Sequence, residues 1–333
     1  VTLRLVSSPS AIARQAGNEL GGALLGELPG GAGPAWPVQR IFAPLLGANA
    51  PVMHETWLSD LPLQAGCSEN IAWCRTDGVL YGVLELDEAD FPDTPGVSAL
   101  QAASAEAYRR LFRLLDTQNM PHLWRVWNYL ADINLETGGL ERYRQFNIGR
   151  QDAFLECRRG ATGNVPAACA IGLAGGPLSI AFMAGTTPAV PVENPRQVSA
   201  YNYPADYGPR SPTFSRAVLA YPAGQEMLFV SGTASIVGHQ TVHPDDVVGQ
   251  CRESMANIAA VVAEANRCCR SPAFRLTAMS YRVYVRHAND FASVRDTLLP
   301  LIDGAEVVYV QADICRDDLL LEIEAYASHA LEN

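Results

Sequence analysis

The sequence predicts an α/β (α+β) fold in which mixed sheets pack against helices, with the same arrangement built twice along the chain. Three observations carry this. Apolar runs rich in branched and aromatic residues alternate with segments of helical periodicity. Two strand–helix–strand units recur at a nearly constant offset, with Tyr81 falling on Met227 and Gln101 on Gln250. The 333 residues are 48% hydrophobic and 18% charged, enough chain and enough apolar surface for a self-supporting core of two domains or one large one. The expected division is an N-terminal half, 1–150, and a C-terminal half, 151–329, that carries most of the active site.

The elements follow in order. Roughly the first 65 residues, with the run GELPGGAGPAWPVQR, read as irregular with short strands. GVLYGVLELDE (78–88) is an apolar strand with alternation at its end. SALQAASAEAYRRLFRLLDTQ (98–118) places Leu100, Ala103, Ala107, Leu111, Leu114 and Leu115 at helical spacing, and Pro121 closes it. HLWRVWNYLADIN (122–134) is a strand by its aromatic and branched content. GGLERYRQFNIGRQDAFLE reads as a second helix, and GLAGGPLSIAFMAG as a buried hairpin. EMLFVSGTASIVG (226–238) is a strand running into a small-residue turn. In PDDVVGQCRESMANIAAVVAEAN (244–266), Pro244, Asp245 and Asp246 suit the first turn of an amphipathic helix. FRLTAMSYRVYVRHAND (274–290) is a strand and FASVRDTLLPLI a helix; EVVYVQADI and LLLEIEAYAS are the last two strands.

Composition excludes several chemistries. A formal net charge of −11 disfavours nucleic acid, which needs a basic stripe, but leaves room for a local basic pocket. All 24 basic residues are arginine, so lysine Schiff bases, pyridoxal-phosphate lysines and Walker-type loops are impossible. The eight cysteines form no CxxC pair, no zinc pattern and no disulfide framework. His239 and His243 lack a third ligand at metal spacing, no G-x-S-x-G elbow occurs, and the glycine cluster near 172–176 lacks the dinucleotide order. Neither a metal nor an organic cofactor is expected. With no signal peptide and no apolar run of membrane-spanning length, the chain reads as cytoplasmic, with no membrane partner.

Two stretches hold the candidate chemistry. In the strand DDLLLEIEAYAS, Leu321, Ile323 and Ala325 share one face and Glu322, Glu324 and Tyr326 the other, so the carboxylates either face solvent or point into a pocket. YNYPADYGPRSPTFSRA (201–217) combines Tyr201, Tyr203, Tyr207 and Phe214 with Arg210 and Arg216, stiffened by three prolines. Tyr203 is expected to pack in the core.

Residues 206–328, with YGPRSPTFSRA, LFVSGTASIVG, VVGQCRESMANIAAVVAEAN and LLLEIEAYA, resemble the reactive-intermediate deaminase A (YjgF-like) superfamily, whose fold is of the chorismate-mutase-like kind. Val307 stands where the small deaminases carry an arginine, and Arg210 replaces their GPY tyrosine. Over nearly the whole chain, ERYRQFNIGRQDAF, YNYPADYGPRSPTFSRA, FVSGTASIVGHQTVH and CRDDLLLEIEA resemble the chorismatase family. Within it the chain is most similar to the type that forms 3- and 4-hydroxybenzoate plus pyruvate from chorismate, supplying pigment and ubiquinone biosynthesis. The resemblance implies Glu322 as the acid that protonates the enolpyruvyl methylene carbon. It also implies Cys315 lining the site and Ala234 on the wall beside the ring.

The residue chemistry suits such a ligand. Two carboxylates call for cationic forks, and a diene ring for flat walls; Arg150, Arg210 and Arg216 with Tyr201, Tyr207 and Phe214 offer both. An acid protonated near neutral pH requires burial, and Glu322 is flanked by leucine and isoleucine. The competing readings are an enamine or imine deaminase and a non-catalytic ligand-sensing trimer; monomer and homotrimer both remain open.

Overall fold

A computed structural model describes residues 2–9, 18–27 and 36–331. The strands β1 (Leu3–Ser8), β2 (Glu19–Gly26), β3 (Val38–Ile41) and β4 (Val52–Ser59) form one sheet in the order β1-β4-β2-β3. The irregular N-terminal region expected from its glycines is therefore a sheet, although most of GELPGGAGPAWPVQR lies outside the described residues. Close approach explains the glycines of β2. A Cβ on Gly21 would lie 2.1 Å from the Tyr81 ring, and one on Gly22 2.0 Å from the Glu55 carbonyl oxygen.

Two equivalent units follow. The first comprises β5 (Gln64–Ser68), β6 (Ile71–Arg75), β7 (Val79–Leu86), α1 (Ala99–Thr117), β8 (His122–Ala131), the small hairpin β9 (Glu136–Thr137) and β10 (Leu140–Glu141), α2 (Arg142–Glu156), β11 (Ala167–Leu173) and β12 (Leu178–Gly185). The second comprises β13 (Val190–Val192), β14 (Ala217–Ala220), β15 (Gln225–Thr233), the hairpin β16 (Ile236–Val237) and β17 (Gln240–Thr241), α3 (Val247–Cys268), β18 (Ser280–Val285), α4 (Phe291–Ile302), β19 (Val307–Gln311) and β20 (Leu321–Ala330). The sheet orders are β5-β6-β7-β12-β8-β11 and β13-β14-β15-β20-β18-β19, the same path traced twice. In both, the one parallel pair (β8 with β11, β18 with β19) is bridged by a helix, as parallel strands require.

Each sheet is covered by helices on one face. Leu100, Ala107, Leu111 and Leu115 of α1 meet Leu80, Leu84, Val126 and Ile180, while Cys251, Met255, Ile258 and Leu298 of α3 and α4 meet Leu228, Val283 and Ile323. The opposite faces share a third core with the N-terminal sheet, built on Trp57, Tyr81, Trp127, Phe229 and Tyr284. Strands buried on both faces explain why β12 and β15 read as continuous apolar runs.

Several boundaries differ from expectation. GLAGGPLSIAFMAG is not a hairpin: β8 lies between β11 and β12, parallel to one and antiparallel to the other. The division expected at residue 150 does not coincide with a sheet boundary, because β11 and β12 complete the first sheet. The third helix begins one turn late, since the Asp246 carboxylate caps the Gly249 N–H at 2.9 Å and leaves Pro244 and Asp245 outside. The strand of 274–290 shrinks to β18, bounded by single 3₁₀ turns.

The units are sewn together along β11. The Ala168 N–H donates to Ser231 Oγ at 2.9 Å, and that hydroxyl donates to the Ser215 carbonyl at 2.6 Å. Gly172 and Asp313 exchange backbone hydrogen bonds of 2.8 and 3.0 Å. Ser231 is fully buried, so its removal strands a backbone donor. Ser231→Ala is expected to destabilise the fold by about 1–3 kcal/mol, read as a lower urea midpoint with unchanged slope.

Candidate active site

The seam between the units opens into a cavity of about 540 Å³. β11 supplies Ala168, Cys169 and Ala170; α2 and its approach supply Tyr143 and Arg150; β15 and β20 supply Gly232 and Glu322. The pairing of β15 with β20 shifts register between Val230 and Thr233. This bulge turns Ser231 toward β11 and lays Gly232 against the Glu322 carboxyl. A Cβ on Gly232 would sit 1.8 Å from Glu322 Oε1, so only glycine leaves room for that carboxyl.

Glu322 is 4% exposed. Burial, and next the negative charge of Glu324, push its carboxyl up to about 8; Arg125, Arg216 and the Cys315 thiol pull the other way without prevailing. Cys315 Sγ donates to Glu322 Oε2 at 3.9 Å. Burial, then the neighbouring Glu322, raise that thiol to about 12, so it is a neutral wall and weak donor rather than a thiolate. Burial likewise holds the Tyr143 phenol above its ordinary range. The cavity thus presents a buried carboxyl group that holds its proton up to near neutral pH.

Opposing charge comes from guanidinium groups. Arg150 is 2% exposed, its Nε and Nη2 have no hydrogen-bond partner among the described residues, and it lies over the Tyr108 and Phe154 rings at 5.2 and 5.6 Å. Arg216 donates through Nη2 to the Val198 carbonyl and the Tyr203 hydroxyl at 2.7 and 2.8 Å, leaving Nε unpartnered. Arg316 donates through Nη1 to the His239 carbonyl at 2.9 Å, leaves Nη2 unpartnered, and stacks over Tyr207 at 4.1 Å. Buried donors without partners are costly. Four of them among the described residues, on three guanidinium groups lining one cavity, suit anionic oxygens.

The structure brings together Glu322, Cys315, Arg150, Tyr207, Arg216 and Ala234 in this lining, along with Phe214. Tyr201 and Arg210 are not in it. Arg210 is exposed and pairs with Asp152 at 3.3 Å, because the proline-bound turn carrying it runs over the surface. Tyr203, expected in the core, is both packed and part of the cavity lining: its ring lies between Arg216 and Arg316, at 5.5 and 5.3 Å. Arg316 and Tyr143 escaped the sequence reading. Arg316 follows Cys315 in CRDD, so its signal was adjacency; nothing in the sequence reveals that Tyr143, at the start of α2, faces β20. Glu324 is no edge residue either, being 6% exposed and paired with Arg125.

A family model described as "Chorismatase FkbO/Hyg5-like, N-terminal" matches residues 55–184, from β4 to β12. A chorismatase of Streptomyces rapamycinicus is 39% identical over 81% of this chain and 80% of its own length. A 3-hydroxybenzoate synthase of Streptomyces hygroscopicus is 34% identical over 84% and 83%. A chorismatase crystal structure superposes with a TM-score of 0.86 at 32% identity, covering 98% of this chain and 97% of that one. The chain belongs to the chorismatase family. That solved chorismatase matches this chain across both units and the seam between them.

The uncompensated Arg150 generates a prediction. Arg150→Met removes a buried charge that no described residue pairs. It is expected to stabilise that form by about 1–3 kcal/mol, seen as a rise of a few degrees in Tm, while abolishing saturation by the substrate.

Proposed function

We propose that this chorismatase converts chorismate to a hydroxybenzoate plus pyruvate, with Glu322 as the proton donor. The observation that carries the reading is a buried carboxyl raised to about 8 in the same cavity as three guanidinium groups with unpartnered donors. Chorismate is a ring dicarboxylate bearing an enol ether, and the cavity offers an acid for the ether and forks for the carboxylates. Arg150, Arg216 and Arg316 hold the two anionic ends. Tyr203, Tyr207 and Phe214 provide flat walls for the ring, and Ala168, Gly232 and Ala234 leave space beside it.

Chemistry begins when Glu322 gives its proton to the methylene carbon, creating an oxocarbenium ion. The neighbouring ring hydroxyl captures it as a cyclic ketal; one ring carbon–oxygen bond then breaks, its oxygen becoming the keto oxygen of the departing pyruvate, and the other oxygen is released from the ketal carbon to stay on the ring as the hydroxyl. The ring aromatises by losing a proton, which restores the acid. Pyruvate and hydroxybenzoate together have the composition of chorismate, so no redox partner enters. The neutral Cys315 thiol beside Glu322 steadies the carboxyl and walls the ring without acting as a nucleophile.

The test is incubation with chorismate and chromatography of the products. Equal amounts of pyruvate and 3- or 4-hydroxybenzoate are expected. Binding without consumption would make the protein a sensor, and ammonia release from an iminopropionate would make it a deaminase. Glu322→Gln is expected to lower kcat by about 10²–10⁴-fold with binding retained. Because the reaction needs the protonated acid, kcat/KM holds below the acid's midpoint and falls as pH rises through it, giving an alkaline limb near pH 8.

A further inference from the structure

Glu324 sits two residues beyond Glu322 on the same face of β20, but it points elsewhere. It enters a small void of about 50 Å³ that Glu55, Arg125 and Arg282 also line. Arg125 pairs with Glu324 Oε2, and Arg282 Nη1 lies 3.0 Å from Oε1. Tyr284 adds a hydrogen bond of 3.1 Å to Oε1. Arg282 in turn grips Glu55 of the N-terminal sheet and takes in the Tyr129 hydroxyl at 2.8 Å. These four ionisable residues are all buried, two of each sign, so their charges cancel.

Glu322 is a third carboxyl beside this neutral cluster and has no guanidinium of its own. The groups that face it are Arg125 from β8, the Cys169 thiol from β11, Tyr143 from α2, Arg216 ahead of β14 and Cys315 from the loop before β20. The thiols and the phenol are neutral, since burial raises all three. Arg125 donates to Glu324 through Nη2 alone, its Nη1 having no hydrogen-bond partner among the described residues, and Arg216 is engaged by Val198 and Tyr203. Ionising Glu322 would add an uncompensated anion about 7 Å along the strand from Glu324.

We propose that Glu324, locked between Arg125 and Arg282, is a positioning residue whose fixed negative charge keeps Glu322 in its acid form. Its purpose rests on the chorismate reading, in which Glu322 must carry a proton. The two arginines hold the Glu324 carboxylate rigid, and Arg125 also pulls Glu322 toward ionisation, a pull that the Glu324 charge outweighs.

The test reads the carboxyl directly. With ¹³Cδ-labelled glutamate, the Glu322 signal (assigned by its loss in Glu322→Gln) is titrated without substrate. Glu324→Gln is expected to lower its midpoint by about one to two pH units, the size of a unit charge at this distance. Arg125→Met, which keeps the Arg282 contact to Glu324, is expected to raise it. The alkaline limb of kcat/KM moves with each midpoint. A merely structural pair would lower thermal stability in both variants and move the midpoint in neither, and that result overturns the proposal. If Glu324→Gln does not fold, the direction in Arg125→Met decides alone: no rise overturns it. Wild-type protein that titrates as expected but consumes no chorismate would sink the functional reading and leave this inference standing.

Discussion

A carboxyl group buried in the seam between two sheets is the constraint on which the rest of this structure depends. Ionised carboxylates resist burial because water solvates them far better than a protein interior does. A rise from an ordinary value of 4.5 to about 8 corresponds to something on the order of 5 kcal/mol against the charged form. Cations nearby would reverse that preference. The proposed chemistry therefore needs arginines for the ligand and needs them not to serve Glu322. The geometry meets both demands: Arg125 is turned to Glu324, Arg216 is held by a carbonyl and a hydroxyl, and Arg150 is buried on aromatic rings.

Duplication explains where the seam lies and why the two units are unequal. With Tyr81 and Met227 equivalent, the strand pairings set Met183 against the one and Ser328 against the other. Pro177 and Ser179 then occupy, in the first unit, the places that Glu322 and Glu324 hold in the second. The first unit has no acid there; it contributes the opposite wall through β11 and the cation Arg150 through α2. One chain thus supplies both sides of a cavity from two copies of one topology, and the bulge in β15 both joins the copies and clears space for the acid.

The aromatic segment 201–214 meets the cavity through stacking rather than through its own arginine. Arg316, carried on the loop before β20, lies against Tyr203 and Tyr207, while Tyr207 also hydrogen-bonds His239 at 3.1 Å. The prolines stiffen the segment that brings these rings into the cavity lining, and within it Arg210 lies at the surface, where Asp152 meets it.

Periodicity, punctuation and charge were readable from the chain alone. They placed α1, α3, β7, β15 and β20, the repetition of the units, and the pairing of Glu322 with an apolar strand, because these follow from local spacing. The absence of lysine and the family motifs narrowed the chemistry before any contact was known. Tertiary structure alone decided that β8 separates β11 from β12, that Glu324 is locked by Arg125 and Arg282, and that Tyr143 and Arg316 face the cavity while Tyr201 and Arg210 do not. The reason is physical: a residue's own neighbours fix its conformation and its face. Which distant residues meet that face depends on strand order and on how two sheets pack, and no local pattern encodes either.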